Sequence, residues 1–234
     1  VDLPTRQQTL RRAIAWSYDL LDEGAQRLFR WLGVFVGGCT LEAATAVCNT
    51  ADDLGLDVME GVTALCHKSL LRRVEGADGY SRFTMLETIR EYALDRLVAY
   101  GEAEAVRQQH AAYYRRLCAL AWPNGVTWLR RMAPEYDNLW SALAWSQTTA
   151  GDPEVALQIA GGLVGLWYHR SIPREAIAAL ERTLNHPHGV GQTAAHAAVR
   201  SNLGLYYGLM GNYAAAWSQF EQALSLASAV GDTE

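Results

Sequence analysis

The last third of the chain repeats itself, and that repetition limits what it can fold into. Residues 153 to 169 and 173 to 185 read as one pair of helices, and residues 192 to 210 and 213 to 230 as a second. Leu203, Tyr207, Ala216, Phe220 and Ala223 of the second pair have counterparts at Leu163, Trp167, Ala176, Leu180 and Thr183, 40 residues earlier. A helical hairpin of this kind cannot bury its apolar face alone, so neighbouring pairs must stack into a solenoid. Gly204, Ala216 and Ala223 are small enough for paired helices to approach, while Leu203, Tyr207 and Phe220 fill the space between them. Gly208 is expected on the groove side of its helix, away from that contact. Asp152-Pro153 gives the first pair its start, with a capping carboxylate ahead of a proline suited to the first helical position.

The spacing of Leu203-Gly204, Tyr207, Gly211, Ala216, Phe220 and Ala223 is similar to the tetratricopeptide repeat. The first pair is a degenerate version, offset by 40 residues where that repeat has about 34. At least three repeats are usually needed for a continuous core, so further repeats are expected past Glu234. The start at Val1 without Met, and the end at Glu234 just after a Gly-Asp turn, point the same way, to a segment of a longer polypeptide. First-helix residues line the groove of such arrays; here they are Ala198, Ser201, Asn202, Leu205 and Leu209. Some peptide-binding repeats clamp a terminal carboxylate with a lysine and an asparagine four residues apart. Asn202 is present but Ala198 stands in the lysine's place, so an apolar or neutral partner is expected.

Residues 1 to 100 have a different character. Residues 9 to 20 form an amphipathic pattern with Leu10, Ile14, Trp16 or Ser17 and Leu20 on one face and Arg11 and Arg12 outside. Asp22 can cap a second helix whose stripe is Leu28, Phe29, Leu32 and Phe35, ended by Gly37-Gly38. Thr40 starts a third helix, and a polar loop leads to a fourth, VMEGVTALCHKSLL. The period then changes. Leu70 to Val74 and Tyr80 to Met85 read as two strands around a glycine-containing turn, the one β-hairpin of the sequence. Helices followed by a hairpin make a winged-helix-type domain. Thr84 and Glu87 stand at capping-box spacing before a helix running to Gly101.

Residues 101 to 150 remain helical in pattern and form a connector of two or three helices, with Tyr113, Trp122, Trp128, Trp140 and Trp145 as core. The predicted fold is therefore mainly α: a winged-helix-type domain with one β-hairpin over 1 to 100, a helical connector over 101 to 150, and an α-solenoid of tetratricopeptide-like repeats over 151 to 234.

The four cysteines, at 39, 48, 66 and 118, lack the short paired spacing of a zinc site and follow no secretory signal. Free thiols and a cytoplasmic location are expected. No run of 18 apolar residues marks a membrane span. A net charge of −5 offers nothing to a polyanion.

The stretch TLRRAIAWSYDLLDEGAQRLFRWLGVFVGGCTLEAA, followed by LCHKSLLRR, RFTMLETIREYALDRL and EYDNLWSALAW, resembles the region after the nucleotide-binding domain in bacterial STAND-type (NB-ARC-like) regulators of the LuxR and AfsR transcriptional-regulator types. The resemblance spans roughly residues 5 to 230, and ETIREYA is its most specific part. It implies a parent with an upstream P-loop ATPase, a winged helix, and repeats acting as sensor or autoinhibitory arm. ADP would hold the arm closed, and an inducing protein or small molecule plus ATP would open it. In the broader family a Met-His-Asp motif places its histidine near the ADP phosphates. Met85, Leu86 and Glu87 occupy the matching place, but Leu86 cannot donate a hydrogen bond, which leaves Glu87 a capping role.

No G-x-x-x-x-G-K-[ST] occurs and Lys68 is the sole lysine, so the segment has no phosphate loop, no cofactor of its own and no catalytic motif. Nucleotide is expected only in the parent, whose nucleotide-binding domain is the expected intramolecular partner. Cys66 and His67 are sequence neighbours that point apart on a helix, His186-Pro187-His188 has no accompanying carboxylate or thiol, and Asp52-Asp53 lies in a polar loop. The rival reading is a winged-helix DNA-binding factor with a helical dimerisation tail. Its reading helix would offer only His67 and Lys68 against Asp57 and Glu60, a poor balance for contacts dominated by phosphate electrostatics.

Overall fold

The computed structural model describes residues 5 to 49, 54 to 76, 79 to 119 and 125 to 231. The chain divides into two compact units between Tyr113 and Tyr114. The expected connector over 101 to 150 is thus shared, part of its first helix belonging to each unit.

The first unit opens with α1 (Thr5–Asp19), α2 (Glu23–Leu32), the two-residue β1 (Cys39–Thr40) and α3 (Leu41–Cys48). It continues through α4 (Val58–His67), β2 (Arg72–Glu75), β3 (Ser81–Thr84), α5 (Glu87–Ala99) and the start of α6 (Ala103–Ala119). Local chemistry sets the helix starts. The Asp22 carboxylate accepts from Ala25 N at 2.8 Å, Thr40 Oγ1 from Ala43 N at 3.1 Å, and Asp57 from Met59 N and Glu60 N at 2.9 and 3.1 Å. Leu28, Phe29 and Leu32 are buried on α2, which packs against α4 and α5. Gly61 permits this approach, because a Cβ there would stand 2.5 Å from Leu28 Cδ2.

The hairpin carries a third strand. The sheet order is β1-β3-β2, all antiparallel, with Cys39 opposite Phe83 and Arg72 opposite Thr84. Gly37-Gly38 therefore does not end α2, which stops at Leu32; Phe35 is buried beyond the helix. Gly38, at φ +90°, lets the chain pass where a Cβ would meet Phe83 O at 2.5 Å. Residues 77 and 78 of the turn lie outside the described residues.

Two other expectations are corrected. On α1 the buried residues are Ile14 and Tyr18, whereas Leu10, Trp16 and Leu20 are exposed. Tyr18 is drawn inward because its ring meets Phe29 and Tyr92 and its hydroxyl accepts from Arg30 at 2.9 Å. The capping box does not form either. Thr84 is still in the β-ladder opposite Arg72, Leu86 is the N-cap of α5 without a side-chain bond, and Glu87 instead pairs with Arg90 at 2.7 Å.

The second unit holds the end of α6, then α7 (Gly125–Met132), a 3-10 turn (Ala133–Glu135) and α8 (Tyr136–Ser146). The two helix pairs follow, α9 (Pro153–Arg170) with α10 (Pro173–Leu184) and α11 (Ala194–Leu209) with α12 (Tyr213–Val230). Asp152 caps α9, with Glu154 N donating at 2.8 Å. Thr193 caps α11 and Asn212 caps α12. Leu163, Trp167, Ala176, Leu180 and Thr183 are all buried. In the connector, Trp128 is buried, Tyr113, Trp140 and Trp145 are half-buried, and Trp122 lies outside the described residues. Tyr114 takes the central place expected of Tyr113, its hydroxyl donating to the buried Glu135 at 2.7 Å.

Candidate functional site

In the first unit, α4 and the β2-β3 wing form one candidate surface. Helix α4 buries Val58, Gly61, Val62 and Leu65, leaving Met59, Glu60, Thr63 and His67 exposed. The Thr63 hydroxyl is turned back onto Met59 O at 2.7 Å. The acidic residues Asp57 and Glu60 sit at the start of the helix, and Lys68 follows its end. All four residues of β2 are exposed. Arg73 reaches Ser81 Oγ with Nε and Nη2 at 3.0 and 2.8 Å. It also lies within electrostatic reach of Cys66, whose thiol burial pushes up and Arg73 pulls partly back. Lys68 is exposed beyond the end of α4, and Arg72 and Arg73 are exposed on β2, where successive side chains alternate between the faces of the sheet.

The junction of β3 and α5 places Met85, Leu86 and Glu87 together. Met85 is half-buried, and Leu86 and Glu87 are exposed. Hydrogen bonding from Arg90 holds the Glu87 carboxyl below its ordinary range, although slight burial opposes this. The side chains of an exposed leucine and of a carboxylate already paired with arginine supply no donor for phosphate.

Arg30 is the most heavily partnered charge of the first unit. It donates to both carboxylate oxygens of Glu102 at 2.9 Å and to Tyr18 Oη at 2.9 Å, and lies 3.9 Å from the Tyr100 ring centroid. Trp31 Nε1 donates to the same carboxylate at 3.0 Å. These bonds tie α1 and α2 to the turn between α5 and α6, a structural role that the sequence pattern did not reveal.

In the second unit, Ala198, Ser201, Leu205 and Leu209 are exposed and Asn202 is half-buried. Of these five, Ala198 lines a cleft of about 240 Å³, with Leu157, Gly161 and Ala195 on the walls and Arg115 and Gln158 among its polar groups. Gln158 Nε2 donates to Glu154 Oε1 at 2.8 Å, and Thr193 Oγ1 to Glu154 Oε2 at 3.0 Å. Between α11 and α12, Leu203, Gly204, Ala216 and Ala223 are buried and Tyr207 is half-buried, its hydroxyl turned to Glu181 of α10. Phe220 is 41% exposed, and its ring lies on Gly204 between α11 and α12. Gly208, one turn after Gly204, also faces α12: a Cβ there would stand 4.0 Å from Ala216 Cβ. The expected groove-side placement of Gly208 is corrected.

The histidines of the α10-α11 turn are fully engaged. His186 Nδ1 accepts from His188 N at 3.1 Å, so its Nε2 carries the proton toward Ser146 O at 3.0 Å. His188 Nε2 lies 2.8 Å from Thr149 O. Cys66 is half-buried and His67 exposed, and Asp52-Asp53 lies outside the described residues. The four cysteines are free thiols. Among the described residues no group of three or more His, Cys, Asp or Glu side chains could hold a metal, and no helix is long and apolar enough to cross a membrane.

Comparison with known proteins matches residues 21–98 to the model of the winged helix-turn-helix domain. The match covers α2, α3, α4, nearly all of α5 and the three strands. Residues 21–98 have a winged-helix fold. Proteins of Mycobacterium bovis and Mycobacterium tuberculosis named as HTH-type transcriptional regulators are 41% identical over 177 residues, covering 74% of this chain and 20% of their own length. A further Mycobacterium tuberculosis protein of uncharacterised function is 32% identical over 111 residues, 47% of this chain and 28% of its own. The chain thus spans about a fifth of the length of the regulators it matches. No solved structure gives a significant match.

Proposed function

We propose that this chain is the regulatory and protein-interaction arm of a STAND-type transcriptional regulator, non-catalytic in itself. The winged helix-turn-helix domain serves as hinge against a nucleotide-binding domain of the same longer protein, and the helical pairs receive an inducing protein or small molecule. The observation that carries this reading is the face of α4. In a DNA-reading winged helix that position bears Arg, Lys, Asn or Gln; here Met59, Glu60, Thr63 and His67 are exposed behind the capping Asp57. The relatives support a regulatory role by their names and leave room, by their length, for the other domains. The side chains of Met85, Leu86 and Glu87 offer phosphate no donor, so nucleotide binding is assigned to the preceding domain. The reading predicts that the purified chain turns over no ATP and binds, in trans, the segment that precedes it in the longer protein. ATP turnover lost on a point substitution within this chain, or no association with that segment by calorimetry, contradicts it.

A second reading, DNA binding by the winged domain, is favoured by the exposed cations Lys68, after α4, and Arg72 and Arg73, on β2. A mobility shift at about 50 mM salt, where phosphate contacts are strongest, separates the two. Retardation of DNA that disappears in the Arg72→Glu, Arg73→Glu variant establishes the second reading, and no retardation eliminates it.

A further inference from the structure

The cleft of about 240 Å³ between α6, α9 and α11 lies wholly within the second unit. Its wall is made mostly of small residues, Ala119 of α6, Gly161 of α9 and Ala195 and Ala198 of α11, with Leu157 as the one larger aliphatic side chain. Helix α9 carries two adjacent glycines here, and packing explains only one of them. A Cβ on Gly162 would stand 2.4 Å from Cys118 Cβ, so α6 comes this close because that side chain is missing. At Gly161 a Cβ would meet nothing within 4 Å. A glycine inside a helix costs stability relative to alanine, and no neighbour in the described structure requires this one. Its missing side chain leaves open space in the cleft wall, where a ligand can lie against the backbone.

One cation faces this space. Arg115 of α6 lines the cleft and is half-buried, and its one hydrogen bond is to Gln158 Oε1 at 3.5 Å, long for such a contact. Among the described residues no carboxylate forms an ion pair with it. Glu154 of α9 is engaged elsewhere: it accepts from Gln158 Nε2 at 2.8 Å and from Thr193 Oγ1 at 3.0 Å, which turns the Gln158 amide so that its oxygen faces Arg115. A guanidinium with one long bond to a neutral oxygen keeps donors for a carboxylate, which it meets in a planar two-point contact. The α11 wall offers no charge, since Ala195 and Ala198 stand there; the cation comes from α6.

We infer that this cleft binds a small organic acid, its apolar body against Leu157 and Gly161 and its carboxylate on Arg115. A cavity of 150 Å³ holds benzene, so by volume this one suits a molecule of about ten non-hydrogen atoms. The cleft gives the small-molecule inducer proposed above a site and a chemical class. It rests on that reading only for the inducer's role, because binding to this chain is measurable without a nucleotide-binding domain.

Calorimetric titration of the whole chain with octanoate, and with octanamide as the uncharged molecule of the same size, tests this. Octanoate is predicted to bind at a single site, about tenfold more tightly than octanamide or better. Arg115→Gln should weaken octanoate about tenfold and leave octanamide unchanged. Gly161→Leu, whose side chain enters space where a Cβ meets no neighbour within 4 Å, should abolish binding of both without lowering the melting temperature. Absence of saturable octanoate binding overturns the assignment, and so does binding that is equal for the amide or indifferent to both substitutions in folded variants. An acetylated tripeptide ending in a free leucine carboxylate that binds about tenfold more tightly than octanoate overturns it as well, because the cleft would then hold the end of a chain.

Discussion

Gly204 and Phe220 meet where α11 and α12 touch: a Cβ on Gly204 would stand 2.8 Å from Phe220 Cε1. Phe220 is partly exposed and can swing aside for a methyl group, but not without loss for a larger side chain. Gly204→Leu should therefore destabilise by about 1 to 3 kcal/mol through overpacking. At Gly208 the nearest atom is Ala216 Cβ at an ordinary 4.0 Å, so Gly208→Ala should stabilise by up to about 1 kcal/mol through helix propensity. Thermal melts check both, and changes of the same sign would show that the contact between the two helices is misplaced.

The Arg30-Glu102 pair should dominate the acid stability of the winged domain. Burial alone would raise the Glu102 pKa, but hydrogen bonds from Arg30 and Trp31 and the charge of Arg30 hold it below the ordinary 4.5. A carboxylate with a depressed folded pKa contributes stability that is present above about 4.5 and lost as pH falls through the folded value. Glu102→Ala leaves the buried Arg30 charged without its carboxylate, beside only Tyr18 and Tyr100, and should cost about 3 kcal/mol at neutral pH. Urea unfolding at pH 7 and pH 3 checks this: the gap between wild type and variant should shrink at the lower pH.

His196 makes the opposite kind of contact. Its Nδ1 faces Gly191 O at 2.8 Å and its Nε2 accepts from Arg200 Nε at 2.9 Å, so the ring is neutral. Burial and the Arg200 charge hold its pKa below the ordinary 6.5, against the bond to Gly191. With the folded value depressed, the unfolded chain takes up the proton first. Stability should therefore be full above about pH 6.5 and decline as pH falls below it. Amide exchange in α11, followed between pH 7.5 and 5.5 and corrected for its intrinsic pH dependence, should show faster opening at the lower pH in wild type and not in His196→Gln.

The four repeat helices were legible because their signals are local. Asp152-Pro153 and the 40-residue recurrence of small and large residues fix α9 to α12 without reference to distant parts of the chain. Tyr18 was not legible, since it is buried through Arg30, Phe29 and Tyr92, while the more apolar Trp16 stays in water. Strand β1 is two residues long and has no periodicity to read; it exists because Cys39 finds Phe83 far along the chain. At the candidate surface, α4 was read correctly as acidic at its start, but the approach of Arg73 in the wing to Cys66 is tertiary.

The account stands most directly on whether the helical pairs restrain a nucleotide-binding domain. The measurement is the release rate of a fluorescent ADP from the longer protein that contains this segment, with and without the helical pairs from Asp152 onward. Removal of the pairs is predicted to speed release by about tenfold, equivalent to ~1.4 kcal/mol. Equal release rates, or a longer protein that binds no ADP, would contradict it.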